Sequence, residues 1–198
     1  MSQFYNLLEA YARADSTQDR TGIEAEIWDR FGREQAIFVL DLSGFSLSTA
    51  KHGIVHYLSK IQRMRMTLAP LISHNGGSVV KFEADNCFAR FPETLDAVRT
   101  AINYNHTLDA MNLTTPEDLD IQASIGIDFG KFLLVEKEDI YGMPVNIASK
   151  LGEDAAGIGQ ILVTKNAMAR IDNQAGIKSQ PIDISISGMA IAACDILY

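Results

Sequence analysis

Cysteine, histidine and basic charge are all in short supply in this sequence, and each scarcity closes off a class of function. The 198 residues hold two cysteines, Cys87 and Cys194, too far apart for a metal-type spacing. They read as buried thiols in a reducing cytoplasm rather than as zinc ligands or a disulfide framework. Four histidines, His52, His56, His74 and His106, form no nucleophile or zinc pattern and read as surface or internally satisfied side chains. Seventeen basic residues face 25 acidic ones, a net charge of −8, which argues against a nucleic-acid backbone or an anionic membrane as main partner. No apolar run reaches membrane-spanning length, and the N-terminus lacks a basic stretch followed by an apolar signal core. The expected location is therefore the cytoplasm. Neither an internal repeat nor a low-complexity segment is present.

The composition itself is that of a globular chain, 47% hydrophobic and 21% charged, long enough for one domain and a small extension. Its organising stretch is Ala36–Ser46, AIFVLDLSGFS. Five apolar residues run into Asp41, as in a buried strand that ends at a turn. A carboxylate at the end of such a strand needs water, a base or a cation, because a dry core will not hold it charged and alone. Gly44 lets the backbone approach a ligand, and neighbouring N–H groups can cradle an anion. Read in isolation, Asp41 is better taken as a solvated turn residue after a core strand, and the case for function has to come from the rest of the chain.

Before this stretch, Phe4, Leu7, Leu8 and Tyr11 have helical spacing. After a polar break at Asp15–Arg20, Thr21 and Glu24 resemble a capping box for a second helix carrying Ile23, Ile27 and Phe31. Residues 1–34 thus read as a helical extension, packed on the body of the domain or on a second subunit, and residues 35–198 as the main domain. Beyond Ser46, Ile54, Leu58, Ile61, Leu68 and Ile72 predict a long helix stopped by Asn75-Gly76-Gly77. Ser78–Phe91 predicts two strands meeting at Ala84 and Asp85, and Pro92 opens a helix with Leu95, Val98, Ile102 and Leu108. Leu119–Phe129 alternates as a strand, Phe132–Val135 reads as another, and Gly142–Leu151 reads as a helix ended by Gly152. Gln160–Val163 is a strand, a short helix follows near Thr164–Ile171, and Ile182–Ile186 with Ala190–Tyr198 predicts a terminal hairpin. The order strand, helix, strand, strand, helix, strand defines an α+β fold. It is the ferredoxin-like split-βαβ core (βαββαβ), with an added C-terminal hairpin and N-terminal helices.

In that fold the first strand lies beside the hairpin, so Asp41 and Asp85 are expected to face one another. Two close carboxylates repel unless a cation sits between them, and an all-oxygen set suits Mg²⁺ or Mn²⁺. Two unrelated turn aspartates are the alternative.

DLSGFS resembles the Asp–Ile/Leu–x–Gly–Phe–Ser/Thr signature of class III nucleotidyl cyclases. HNGGSVVKFEADNCFARF is similar to their glycine-led hairpin ending in Gly-Asp, with Ala84 where glycine is usual. DIYGMPVNIASKLGEDAAGIGQILV resembles their Asp…Gly…Val-Asn-x-Ala segment and the strand beyond. The three blocks keep the family's order and spacing across roughly Gln35 to Tyr198. The resemblance implies two divalent cations, Mg²⁺ or Mn²⁺, held by Asp41, Asp85 and the carbonyl of Leu42. It implies a triphosphate on the backbone of Ser43, Gly44, Phe45 and Ser46. It assigns adenine selection to Lys81 and Asp139, ribose orientation to Asn146 and the transition-state cation to Lys150. It further implies a head-to-tail homodimer with two shared sites, each converting ATP to 3′,5′-cyclic AMP and pyrophosphate.

The residue chemistry fits beside this. Asn146 and Lys150 are four apart on one predicted helix and share a face, with Val145, Ala148 and Leu151 turned to the core. Lysine donates and carboxylate accepts, which matches the adenine edge; guanine presents the reverse, and cytosine the same order as adenine. Without the motifs, Lys150 is a helix lysine favoured near a C-terminus, Asn146 a surface amide, Lys81 an exposed strand residue with Val80 and Phe82 facing the other way, and Asp139 loop charge in the run Glu136–Asp139. Two departures thin the positive charge around the phosphates. Lys150 stands where the family has arginine, and Ile186–Met189 carries no lysine. A nucleotide-binding regulatory module with little turnover is thus the competing reading. A haloacid-type phosphatase lacks its second aspartate at Ser43, and an RNA-binding domain lacks an aromatic platform with basic neighbours.

Overall fold

The computed structural model describes residues 3–135, 139–186 and 188–198, with no account of the side chains of Ser46, Gln174 and Met189. Helix α1 (Gln3–Arg13) and α2 (Thr17–Phe31) lead directly into β1 (Gly32–Leu42), followed by α3 (Phe45–His52) and α4 (Ile54–His74). Strands β2 (Ser78–Glu83) and β3 (Asn86–Phe91) form the hairpin, then come α5 (Thr94–Asn112), β4 (Ala123–Val135), β5 (Asp139–Tyr141) and α6 (Met143–Ser149). A π-helical turn, Lys150–Ala155, connects to β6 (Ile161–Thr164), α7 (Lys165–Met168), β7 (Lys178–Ile186) and β8 (Met189–Leu197). The sheet runs β2-β3-β1-β4-β6-β8-β7, with β5 paired to β4. The βαββαβ core with its terminal hairpin is therefore as the sequence predicts. β1 lies at its centre, antiparallel to both β3 and β4.

That position explains the unbroken apolar run of β1. Ala36, Phe38 and Leu40 face α4 and α5 in the larger core, while Ile37 and Val39 face α6 with Phe88, Phe132, Val145 and Ala148. A strand covered on both faces is apolar at every position, and each large side chain so buried contributes roughly 1.5–3 kcal/mol.

Several local expectations are corrected. The expected break at Asp15–Arg20 is confined to its first residues, and α2 begins at Thr17: the Ser16 hydroxyl accepts from the Asp19 N–H, and Thr21 lies inside the helix, donating to the Thr17 carbonyl. α1 and α2 pack on the domain body through Phe4, Ile27 and Val135. α3 is a separate short helix the periodicity did not reveal. The buried stripe of α4 is Tyr57, Ile61, Met64, Leu68 and Ile72, while Ile54 and Leu58 of its first turn are half-exposed. Phe132–Val135 continues β4, because Gly130 and Lys131 stay paired with Gln35 and Glu34 of β1. Asp139 lies in a short strand rather than a loop, while Glu136, Lys137 and Glu138 lie outside the described residues, as do Met1, Ser2 and Ser187. α6 stops at Ser149, and Gly152 is inside the π turn. A bulge between Val79 and Lys81 turns Val80 toward the α6 side, so only Phe82 opposes Lys81. Cys87 is buried, but Cys194 is half-buried.

Candidate active site

Alternation along β1 continues Ile37 and Val39 into Asp41, which puts its carboxylate on the α6 face at the open end of the sheet. The side chain is half-buried. Burial, then the charges of Asp85 and Glu153, push its pKa from 3.8 up to about 7. Asp85 occupies the two-residue turn between β2 and β3. Ala84 beside it adopts φ 49°, the left-handed region, which explains why glycine suits this position. The Arg65 guanidinium donates to the Ala84 carbonyl at 3.2 Å and helps hold the turn.

Tyr57 locks the two ends together. Fully buried on α4, its hydroxyl donates to Asp85 Oδ2 at 2.9 Å and more weakly to the Leu42 carbonyl at 3.4 Å. Burial and the Asp85 bond push the phenol's pKa upward, so it stays a donor. Sequence reasoning missed Tyr57. A phenol on an otherwise apolar stripe must find a polar partner, and that was the available signal.

Glu153 was missed as well, and here no sequence signal existed. The π turn presses onto the sheet: a Cβ on Gly152 would lie 3.0 Å from the Val39 carbonyl, and one on Gly126 would strike the Ala148 carbonyl at 2.1 Å. This backbone contact brings Glu153 over the hairpin, where Asn86 donates to it at 3.0 Å. Burial, then neighbouring Asp154, raises its pKa, with smaller contributions from Glu83 and Asp85. Three carboxylates thus converge at this corner.

The loop after β1 differs in one respect from expectation. The Ser43 N–H is spent on the Gln122 carbonyl at 2.9 Å, so Ser43 does not offer the free amide the resemblance implies. Gly44 caps α3 without a side chain, so no side-chain cap bond covers the first amides of that helix.

Lys81 sits elsewhere on the same face, over the ring of Phe88 at 4.8 Å. Its ammonium bonds Asp139 Oδ1 and Oδ2 at 3.1 and 3.2 Å and Glu83 at 2.5 Å. Burial alone would lower its pKa, but Glu83 and Asp139 outweigh it and the ammonium is held above its usual value. Asp139 is fixed in turn by the Ile140 N–H at 2.8 Å. Asn146 is exposed on α6. Lys150 is half-buried and begins the π turn with helical dihedrals, so the two still share a face. The structure therefore gathers Asp41, Asp85 and the Leu42 carbonyl into one cluster and Lys81 with Asp139 into another. Asn146 and Lys150 project from the helix between β5 and β6. A cavity of about 540 Å³ lined by Trp28, Arg33, Glu34 and Lys131 lies at the opposite end of β1 and contains none of these groups.

A central strand ending in a carboxylate, a hairpin supplying a second and a helix packed across the same face are the arrangement found in cyclase catalytic domains of known structure. The solved structure of an adenylate/guanylate cyclase/hydrolase from Silicibacter pomeroyi superposes with a TM-score of 0.74 at 25% identity, covering 84% of this chain and 98% of that one. The catalytic core of a rhodopsin-guanylyl cyclase with converted specificity, in complex with ATPαS, gives 0.71 at 18% identity over 84% and 98%. "Putative adenylate cyclase 3" of Rhizobium meliloti (strain 1021) is 28% identical over 119 residues, 60% of this chain, and the chain spans only 20% of that relative's length. No protein-family model matches the chain. The chain carries the fold of class III adenylate/guanylate cyclase catalytic domains. No described helix is long and apolar enough to cross a membrane.

Proposed function

We propose that residues 35–198 are the catalytic domain of a nucleotidyl cyclase that uses ATP, acting as a head-to-tail homodimer. The observation that carries this reading is the coexistence of two opposite clusters on one sheet face: the uncompensated Asp41–Asp85 pair and the preformed Lys81–Asp139 pair. The first is an all-oxygen donor set, completed by the Leu42 carbonyl, in which each added negative charge makes the next less favourable. Such a set fits a hard divalent cation, Mg²⁺ or Mn²⁺. Two such ions, when bound, supply the positive charge that eases ionisation of the ribose 3′-hydroxyl and steadies the leaving pyrophosphate.

The chain's own residues do the rest. Tyr57 holds Asp85 at the orientation its hydrogen bond dictates, and the amides from Gly44 onward receive the triphosphate. Lys81 donates to the acceptor ring nitrogen of adenine and Asp139 accepts from its amine, from the subunit opposite the carboxylates. Asn146 orients the ribose so that its 3′ oxygen lies in line with the α-phosphorus. The 3′-hydroxyl gives up its proton to solvent, a bond forms between these two atoms, the bond from the α-phosphorus to the bridging oxygen breaks, and cyclic AMP, pyrophosphate and a proton result. Lys150 places its ammonium against the charge on the α-phosphate oxygens.

Incubating the chain with each of the four nucleoside triphosphates and either metal, with mass detection of product, tests this. Cyclic AMP from ATP is expected; cyclic product from GTP or CTP instead would overturn the base assignment. The lysine at position 150 favours one second reading, a nucleotide-binding regulatory domain, which ATP binding without any cyclic product would support.

A further inference from the structure

The clearest cluster outside this site lies at the break between α3 and α4. His52 is the last residue of α3, Gly53 turns the chain with φ 85°, and His56 stands in the first turn of α4. The two imidazoles stack with centroids 4.7 Å apart, and Asp118, in the short turn after α5, completes the group. One ligand atom from each of the three lies within 4.8 Å of the others.

The hydrogen bonding of His56 decides what its free nitrogen does. Nε2 is 2.7 Å from the Asp118 carbonyl, which can only accept, so Nε2 carries a proton and donates. The lone pair of the neutral ring is then on Nδ1, and Nδ1 faces Asp118 Oδ2 at 3.9 Å. That separation is too long for a hydrogen bond. Two ligands of one tetrahedral zinc ion stand roughly 3.4 Å apart, from the usual Zn–N and Zn–O lengths, so a small inward shift of an exposed carboxylate closes the site. A carbonyl behind a ligating histidine is also the usual device for fixing its tautomer. The adjoining cleft of about 330 Å³ sets Glu117, Asp118 and Asp120 against Lys51 and Lys60, a net excess of one negative charge.

We propose that His52, His56 and Asp118 bind a divalent transition-metal ion of borderline softness, for which zinc is the best fit. Two imidazoles exclude Mg²⁺ as the preferred ion and favour zinc, copper or nickel, and solvent fills the remaining position. The ion would join the far end of α3, whose near end carries the Gly44 amides, to α4 and to the turn at Glu117–Leu119. The histidine spacing hid this, because the two rings meet across a helix break and the third ligand is 62 positions away from His56.

The test is zinc titration of the full chain, without a polyhistidine tag and carrying Asp41→Ala, against a chromophoric chelator. That substitution disables the carboxylate pair, so the outcome does not depend on the cyclase reading. One ion per chain is expected. Adding His52→Ala, which removes an exposed ring and leaves the His56 bond intact, should weaken zinc by at least about tenfold. Cobalt in place of zinc should give the strong visible absorption of a tetrahedral site, lost with His52→Ala. Equal zinc affinity with and without His52, or no one-to-one binding, would overturn the assignment.

Discussion

Asp41 and Lys81 are charged residues near the ends of strands in one sheet, and their surroundings are opposite. Burial, and after it the negative charges of Asp85 and Glu153, push the Asp41 carboxyl up to about 7. Lys81 is enclosed by Asp139 and Glu83 within hydrogen-bonding distance. One region is left electrostatically incomplete and would be stabilised by a cation. The other has its cation paired in advance and, on the proposed reading, would trade one partner for the edge of a base. An incomplete region should respond to ions and pH, and a paired one to the identity of the nucleotide.

The largest expected effect breaks the incomplete region. Asp41→Ala or Asp85→Ala should lower metal-dependent turnover by about two to three powers of ten, the scale for losing a main electrostatic stabiliser. Initial-rate assays with saturating Mn²⁺ check this, and native turnover in either variant would contradict it. Breaking the paired region should cost less. Lys81→Met should lower kcat/KM for ATP by roughly thirtyfold, about 2 kcal/mol for one charged hydrogen bond. The cation dependence should stay as in the native chain, since Lys81 lies outside the carboxylate cluster. A sharpening change comes next. Lys150→Arg replaces a point charge by a planar fork and should raise turnover about fivefold, or 1 kcal/mol in the transition state. Lys150→Ala should lower it, and unchanged turnover with alanine would remove Lys150 from the mechanism.

A separate effect, read apart from turnover, is on stability. An acid whose pKa is higher folded than unfolded binds more protons in the folded state. The ion-free chain should therefore lose stability as pH rises from about 4 through about 7. Saturating Mn²⁺ should oppose that trend by favouring the ionised form, and Asp41→Asn should reduce it, leaving the share of Glu153 and Asp128, whose carboxyls burial also raises. Melting temperatures from pH 5 to pH 8 with and without the ion measure both; a slope identical in the asparagine variant would exclude Asp41 as its source.

Much of this was legible in the residues. The apolar run ending at Asp41 and the hairpin around Asp85 located the carboxylates, because a covered strand and a tight turn leave a chemical imprint within ten residues. The pairing of Lys81 with Asp139 came only through family resemblance, since 58 positions separate them. Tyr57 was half visible, a polar atom on an apolar stripe. Glu153 was not visible, because its position depends on Gly126 and Gly152 admitting a π turn against the sheet. The commitment of the Ser43 N–H to Gln122 is likewise a tertiary fact.

The central claim is that the incomplete and the paired regions complete one another across two copies of the chain. Purified Asp41→Ala and Asn146→Ala proteins should each be nearly inactive alone. Mixed and given time to exchange subunits, they should regain cyclic AMP formation from ATP, because one of the two interface sites in a mixed dimer then has every group intact. Recovery approaching one quarter of native activity is the outcome expected for random pairing, in which about half the dimers are mixed and each has one working site of two. Proven exchange with no recovery would show that the two regions do not share a site.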